Sequence, residues 1–97
     1  MFAVHSVYLK PIEEVDRYLP ARRAFLKPLY DKGITIFSGP KIPRNGGFIL
    51  MKAASKEAVF EIMKEDPYVV HGVAEYTVIE FECRSFAEGF RSFAAGE

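Results

Sequence analysis

The chain is short of most features that announce a function. It has one cysteine, Cys83, among 97 residues. A single thiol closes no intrachain disulfide and makes no zinc site, so neither is expected. Nothing in it calls for an oxidising compartment. It has no excess charge of either sign, since 13 Lys and Arg balance 13 Asp and Glu. A nucleic-acid binder shows a basic stripe. The densest basic stretch here, Arg22, Arg23 and Lys27, has acidic residues around it in sequence, so no nucleic-acid partner is expected. Long apolar runs are missing too. None approaches the roughly 20 residues needed to span a bilayer, and Met1 to Lys10 lacks the basic-flanked apolar centre of a signal peptide. The expectation is a cytoplasmic protein with no membrane partner. The two histidines, His5 and His71, and the scattered carboxylates have no metal-ligand spacing, so no metal is expected. Asn45-Gly46-Gly47 is too short for a phosphate loop and leads toward a strand, not a helix, so no cofactor is expected either.

Apolar residues, by contrast, are plentiful: 49% of the chain is hydrophobic and 14% aromatic. The length suits one domain, residues 1–97. A small monomer cannot hide this much apolar surface, and the surplus marks an interface.

Phe2 to Leu9 is an aromatic and β-branched run that predicts a first strand. Pro11 is placed to open a helix, where its missing N–H costs nothing. Glu13, Glu14 and Asp16 favour the positive end of that helix. Ile12, Val15, Leu19, Arg22, Leu26 and Leu29 follow steps of three and four and share one face. Pro20 is expected to kink the helix or start a second piece, and Pro28 to disturb it again. Gly33 suits a left-handed cap. Ile34 to Ser38 predicts a second strand, Lys41 to Gly47 a turn-rich loop, and Phe48 to Lys52 a third strand. Ser55 caps a helix over Lys56 to Lys64. Asp66-Pro67 starts a short turn that Gly72 ends. Val73 to Cys83 is the last strand. In the tail over 84–97, Phe86, Phe90 and Phe93 suit a short amphipathic helix packed on the body or on a partner.

The order βαββαβ is the ferredoxin-like α+β pattern. Right-handed crossovers put both helical segments on one face of a four-stranded antiparallel sheet. Phe2, Val4, Tyr8, Ile36, Leu50, Tyr76 and Val78 are expected on the other face, where a second copy would cover them. A homodimer is the expected assembly.

Asp66-Pro67-Tyr68-Val69-Val70-His71-Gly72-Val73 resembles the hallmark of the YciI-like (YCII) family, an Asp-Pro-Tyr/Phe followed by Gly-Val or Gly-Leu into the last strand. Phe37-Ser38-Gly39-Pro40 is similar to that family's Gly-Pro after the second strand, and Arg44-Asn45-Gly46-Gly47 to the Arg-x-Gly-Gly of one branch. The order holds from about Phe2 to Phe81. The resemblance implies a dimeric α+β barrel with a pocket between the helices and the sheet. It also implies a His–Asp pair in that pocket. The Asp corresponds to Asp66. The histidine column, eleven residues before the glycine that ends the first helix, falls on Arg22. The few reactions proposed for the family include lyase and dehalogenase chemistry on small unsaturated acids.

Six residues are candidates, each with a plainer role beside the functional one. Asp66 is a helix cap or a general acid–base group, and capping N–H groups would hold its charged form. Arg22 snorkels from the apolar stripe, or is a fixed cation that pairs with Asp66 or grips a carboxylate. It cannot shuttle protons. His71 caps helical carbonyls or sits at the dimer seam, or it replaces the missing histidine as acid–base group. His5 is a core or interface histidine or a substrate contact, on a strand face with Ala3 and Val7 that is expected to meet the helices. Ser38 and Arg44 are turn residues, or converge with loop N–H groups on a small anion. Cys83 has no base beside it in sequence and is expected to be structural. Three functions follow: acid–base chemistry on a small carboxylic acid by Asp66 and His71, with Arg22 or Arg44 holding it; a binding module without chemistry; or a structural dimer whose pocket is filled by Phe25 and Phe37.

Overall fold

The structure, a computed structural model, describes residues 1–94, so the end of the tail lies outside the described residues. The elements run β1 (Phe2–Tyr8), α1 (Ile12–Asp16), α2 (Leu19–Asp31), β2 (Thr35–Pro40), β3 (Gly46–Met51), α3 (Lys56–Met63), α4 (Pro67–Val70) and β4 (Ala74–Glu80). A 3-10 turn, Glu88–Phe90, and a last short helix, α5 (Arg91–Ala94), follow. The sheet order is β2-β3-β1-β4, and every neighbouring pair is antiparallel. This is the ferredoxin-like α+β fold that the βαββαβ order predicts. Among the described residues, no helix is long and apolar enough to cross a membrane.

Local chemistry sets the boundaries. The first crossover breaks at Arg17 and Tyr18, a little before Pro20. Pro20 is therefore not a kink: it sits in the first turn of α2, where no N–H is needed. Pro28 passes inside α2 without ending it. Gly33 ends it at φ 72°. Its N–H donates to the Tyr30 carbonyl and the Ile34 N–H to the Leu29 carbonyl, both at 2.9 Å, the paired bonds of a Schellman cap. Gly72, at φ 67°, closes α4 the same way, with Val73 donating to Tyr68. That bond takes the Val73 N–H, so β4 starts one residue later than expected. It stops at Glu80 because β1 has run out: the Phe81 N–H meets only the Met1 carbonyl.

The core corrects the expected sheet faces. Phe2, Val4 and Val78 are buried with Ile49 and Met51 against Leu29, Val59 and Met63 of the helices, and Tyr76 packs on the same cluster. Tyr8 packs on a second cluster with Val15, Tyr68 and Val73. These residues cover the helix side, not the open side. Register places Ala3, His5 and Val7 on the other face, with Phe48, Leu50 and Ile79 opposite them across β3 and β4. Phe37 joins that face beside Leu50. Val7, Phe37, Phe48 and Ile79 are exposed, Ile79 to 59%. Of the residues expected on the open side, Leu50 does lie there.

The tail forms an aromatic knot of its own. Phe90 and Phe93 are 5.5 Å apart between ring centroids, and the Arg91 guanidinium stands 5.4 Å over Phe86.

Candidate functional site

Where β1 ends, three loops meet. The Tyr8 N–H donates to the Asn45 carbonyl and the Leu9 N–H to the Val73 carbonyl, at 2.9 and 2.8 Å. The β2–β3 loop and the α4–β4 junction are thereby pinned on either side of Tyr8. The approach of β3 to β1 is so close that a Cβ on Gly46 would stand 1.9 Å from the Ser6 carbonyl oxygen. Only glycine fits there. The Gly47 N–H next to it donates to Ser6 Oγ at 3.0 Å.

Between this corner and α2 lies a cavity of about 400 Å³, within the usual range for a small-molecule site. Leu19, Leu26 and Pro40 give it apolar wall. Arg22, Arg23 and Arg44 bring positive charge, and Ser6, Ser38, Tyr8 and Tyr68 bring hydroxyl groups. Neither Phe25 nor Phe37 fills it: Phe25 packs on the core and Phe37 stands on the open sheet face.

Arg22 reaches this wall because α2 turns its Leu19–Leu26 stripe toward the sheet. Its Nε stands 3.1 Å from Asp66 Oδ2, with the two side chains 13% and 3% exposed. The N–H does not point along that line, so the contact is one of charge rather than a hydrogen bond. The guanidinium carbon lies 4.6 Å over the Tyr68 ring, a cation–π distance. Asp66 caps α4, its Oδ1 accepting the Tyr68 N–H at 2.9 Å. Burial is the largest influence on its carboxyl and pushes it above the ordinary value of 3.8, against the opposite pull of Arg22 and of the Tyr68 N–H. The capping bond alone would have lowered it; burial outweighs it.

Arg44 comes from the β2–β3 loop. Its Nη2 donates to Asp16 Oδ1 at 2.6 Å, and its guanidinium carbon lies 5.7 Å from the Tyr8 ring centroid. The bond to Asp16 is the main cause holding the Arg44 guanidinium above its usual value, with Tyr8 adding to it. The same bond lowers the Asp16 carboxyl. Tyr8 and Tyr68 meet edge to face, 6.1 Å between centroids. Tyr68 is 2% exposed, and burial first, then Tyr8, pushes its phenol up. The Ser38 hydroxyl is in a short hydrogen bond with the Tyr30 hydroxyl.

Of the six candidates, Arg22, Arg44 and Ser38 line the cavity. Asp66 stands behind Arg22, outside the lining. His71 lies elsewhere: as the residue before Gly72 it is carried outward, exposed and stacked on Tyr18 at 4.1 Å between centroids. His5 is on the open sheet face, with Nε2 3.0 Å from Lys41 Nζ, so the expectation that its face meets the helices is corrected. The sequence reading passed over Tyr8, Tyr68, Ser6 and Arg23. Tyr8 had a signal in its parity with Phe2 and Val4, and Tyr68 in following a cap and a proline. Cys83 is half-buried, and its Sγ lies 4.0 Å from the Ser85 carbonyl oxygen.

Comparison with known proteins matches residues 1–82 to the model of the YCII-related domain. No curated protein matches the sequence significantly. Among solved structures, the 5-chloro-2-hydroxyhydroquinone dehydrochlorinase of Burkholderia phenoliruptrix AC1100, in complex with 2,5-dihydroxybenzoquinone, superposes with a TM-score of 0.70. It is 22% identical, and the match covers 84% of this chain and 93% of that one. At that identity the likeness is one of fold.

Proposed function

We propose that this chain, which belongs to the YCII-related domain family, binds a small organic anion in the cavity beside α2 and carries out lyase-type chemistry on it, an elimination or dehalogenation. The observation that carries this reading is the cavity wall itself. Arg22, Arg23 and Arg44 meet there with four hydroxyl groups, and no carboxylate lines the wall among the described residues. The partner carboxylates of Arg22 and Arg44, Asp66 and Asp16, stand outside the lining, so the wall itself presents donors and would take an anion; its apolar part would take a flat carbon skeleton. The arginines would grip the oxygens, since a guanidinium presents its donors in a fork that matches a carboxylate. The chlorinated hydroquinol named for the structural neighbour supports a compact, ionisable ring or acid as the kind of substrate.

One observation favours binding without turnover. The histidine column of the family is Arg22 here, and Arg22 is engaged with Asp66. A guanidinium that stays charged moves no protons, so a module that kept the pocket and lost the chemistry is the second reading. Calorimetry with benzoate and with 2,5-dihydroxybenzoquinone, followed by a chloride-release assay on chlorinated hydroxyquinols, separates the two. Binding with chloride release supports the enzyme. Binding without release from any chlorinated compound supports the module. No binding to the wild-type protein overturns both.

The open sheet face supports a homodimer. Val7, Phe37, Phe48 and Ile79 lie exposed on one surface, and a second copy placed sheet to sheet would bury them and complete an α+β barrel. The single free thiol and the lack of any long apolar helix among the described residues suit a cytoplasmic protein.

A further inference from the structure

Acid–base chemistry needs a group that can give or take a proton at the reacting atom. The cavity wall offers few. It carries no carboxylate and no histidine among the described residues, and its arginines hold their protons throughout. The Ser6 hydroxyl is occupied by the Gly47 backbone and that of Ser38 by Tyr30. Tyr8 and Tyr68 remain. Both line the cavity, and neither hydroxyl is among the polar atoms sealed in the interior without a partner. Arg44 lines the same cavity, its guanidinium carbon 5.7 Å from the Tyr8 ring centroid. A guanidinium only donates, so a phenol oxygen that accepts from it keeps its own proton free.

We propose that Tyr68 is the proton donor of this site, with Tyr8 as the second hydroxyl beside it, acting on a ligand that presents an enolate or phenolate. The assignment rests on the reading of the cavity as an anion site and names the group that completes it. In the reaction the Tyr68 O–H bond breaks and a C–H bond forms at the enolate carbon. The electron pair of the broken bond stays on the Tyr68 oxygen as a tyrosinate, and water returns the proton. No oxidant or reductant is involved. The surroundings suit each half of the cycle. Before transfer, burial keeps the phenol protonated, so it arrives as a donor. After transfer, Arg22 over the ring face and Arg44 near the hydroxyl stabilise the tyrosinate. Donors fixed before the reaction are worth more than the same donors in solution, because they need not reorganise as charge develops. A tyrosine pair also explains how a chain with Arg22 in the histidine column can still move a proton.

The test uses 4-nitrophenolate, a coloured stable oxyanion, with the full-length protein. The wild type is expected to bind it as the anion, seen in its absorbance, with a far-downfield proton resonance from a hydroxyl bonded to the phenolate. Tyr68→Phe is expected to weaken binding about tenfold or more, the worth of a hydrogen bond to a charged group, and to abolish the resonance. Tyr18→Phe, outside the cavity, is expected to keep both. Tyr8→Phe, at a less buried ring, is expected to weaken binding too, which keeps the test open if Tyr68→Phe fails to fold. Equal affinity and an unchanged resonance in the Tyr68 and Tyr8 variants would overturn the tyrosine assignment while leaving the anion site standing. No binding of 4-nitrophenolate or benzoate by the wild type would overturn both.

Discussion

Replacing Arg22 with methionine tests the buried pair at the back of the cavity. Methionine keeps most of the apolar stem between Leu19 and Leu26 and removes the guanidinium, with its charge and its contact over the Tyr68 ring. Asp66 is then left 2% exposed with its backbone cap and no cation. Breaking a buried pair from one side costs about 3–5 kcal/mol, because the abandoned charge cannot be rehydrated. A domain of this size has roughly 5–15 kcal/mol in total, so the urea midpoint should fall steeply. The loss should also depend on pH. The folded Asp66 carboxyl already lies above its ordinary value of 3.8 through burial, and removing Arg22 raises it further. A group raised in the folded state contributes stability that is full below its unfolded value and lost as pH rises through its folded value. Acidifying toward the ordinary carboxylate value should therefore restore much of what Arg22→Met loses at neutral pH. Arg22→Met combined with Asp66→Asn should be close to wild type in stability, since asparagine also caps. Urea titrations of the four proteins across that pH range decide the matter. A loss below about 1 kcal/mol, or one that does not change with pH, would refute the reasoning.

Other outcomes follow from single contacts. Asp66→Asn alone keeps the cap but unpairs Arg22, and should cost about 1–3 kcal/mol by urea denaturation. Gly46→Ala drives a Cβ into the Ser6 carbonyl; backbone cannot yield as a side chain can, so a loss of at least about 1–3 kcal/mol is expected in the same assay. Arg44→Gln should leave the thermal midpoint almost unchanged, since its bond to Asp16 is exposed, yet weaken benzoate binding at least severalfold by calorimetry. Ile79→Lys on the open sheet face should turn a wild-type dimer into a monomer by light scattering, and a wild-type monomer would rule out the sheet-to-sheet pairing.

The fold was legible because its punctuation is local. Pro11, Gly33, Ser55, Asp66-Pro67 and Gly72 mark element ends by backbone chemistry that does not depend on the rest of the chain. The sheet faces were not. In Phe2-Ala3-Val4-His5-Ser6-Val7-Tyr8 apolar residues occur at both parities, so alternation cannot say which parity meets the helices. Packing decides it: the even side chains are large enough to fill the space under α2 and α3, and Ala3 is not. That choice also sent His5 to the open face. Arg22 stood out as a charge on an apolar stripe, and that stripe is what turns it toward the cavity. His71 was attractive for its chemistry, but the residue before a left-handed glycine points away from the body. Tyr8 and Tyr68 were hidden by their dual nature, since an aromatic ring reads as core until its hydroxyl is seen to reach a cavity.

The central claim is that the cavity beside α2 holds a small anion. Amide NMR of labelled protein, titrated with benzoate, chlorinated acids and lactones, tests it most directly. The account predicts shifts that saturate for the acids and cluster at Arg22, Arg44, Gly47 and Tyr68. Saturating shifts confined to the open sheet face or the tail, or no shifts with any compound, would contradict it.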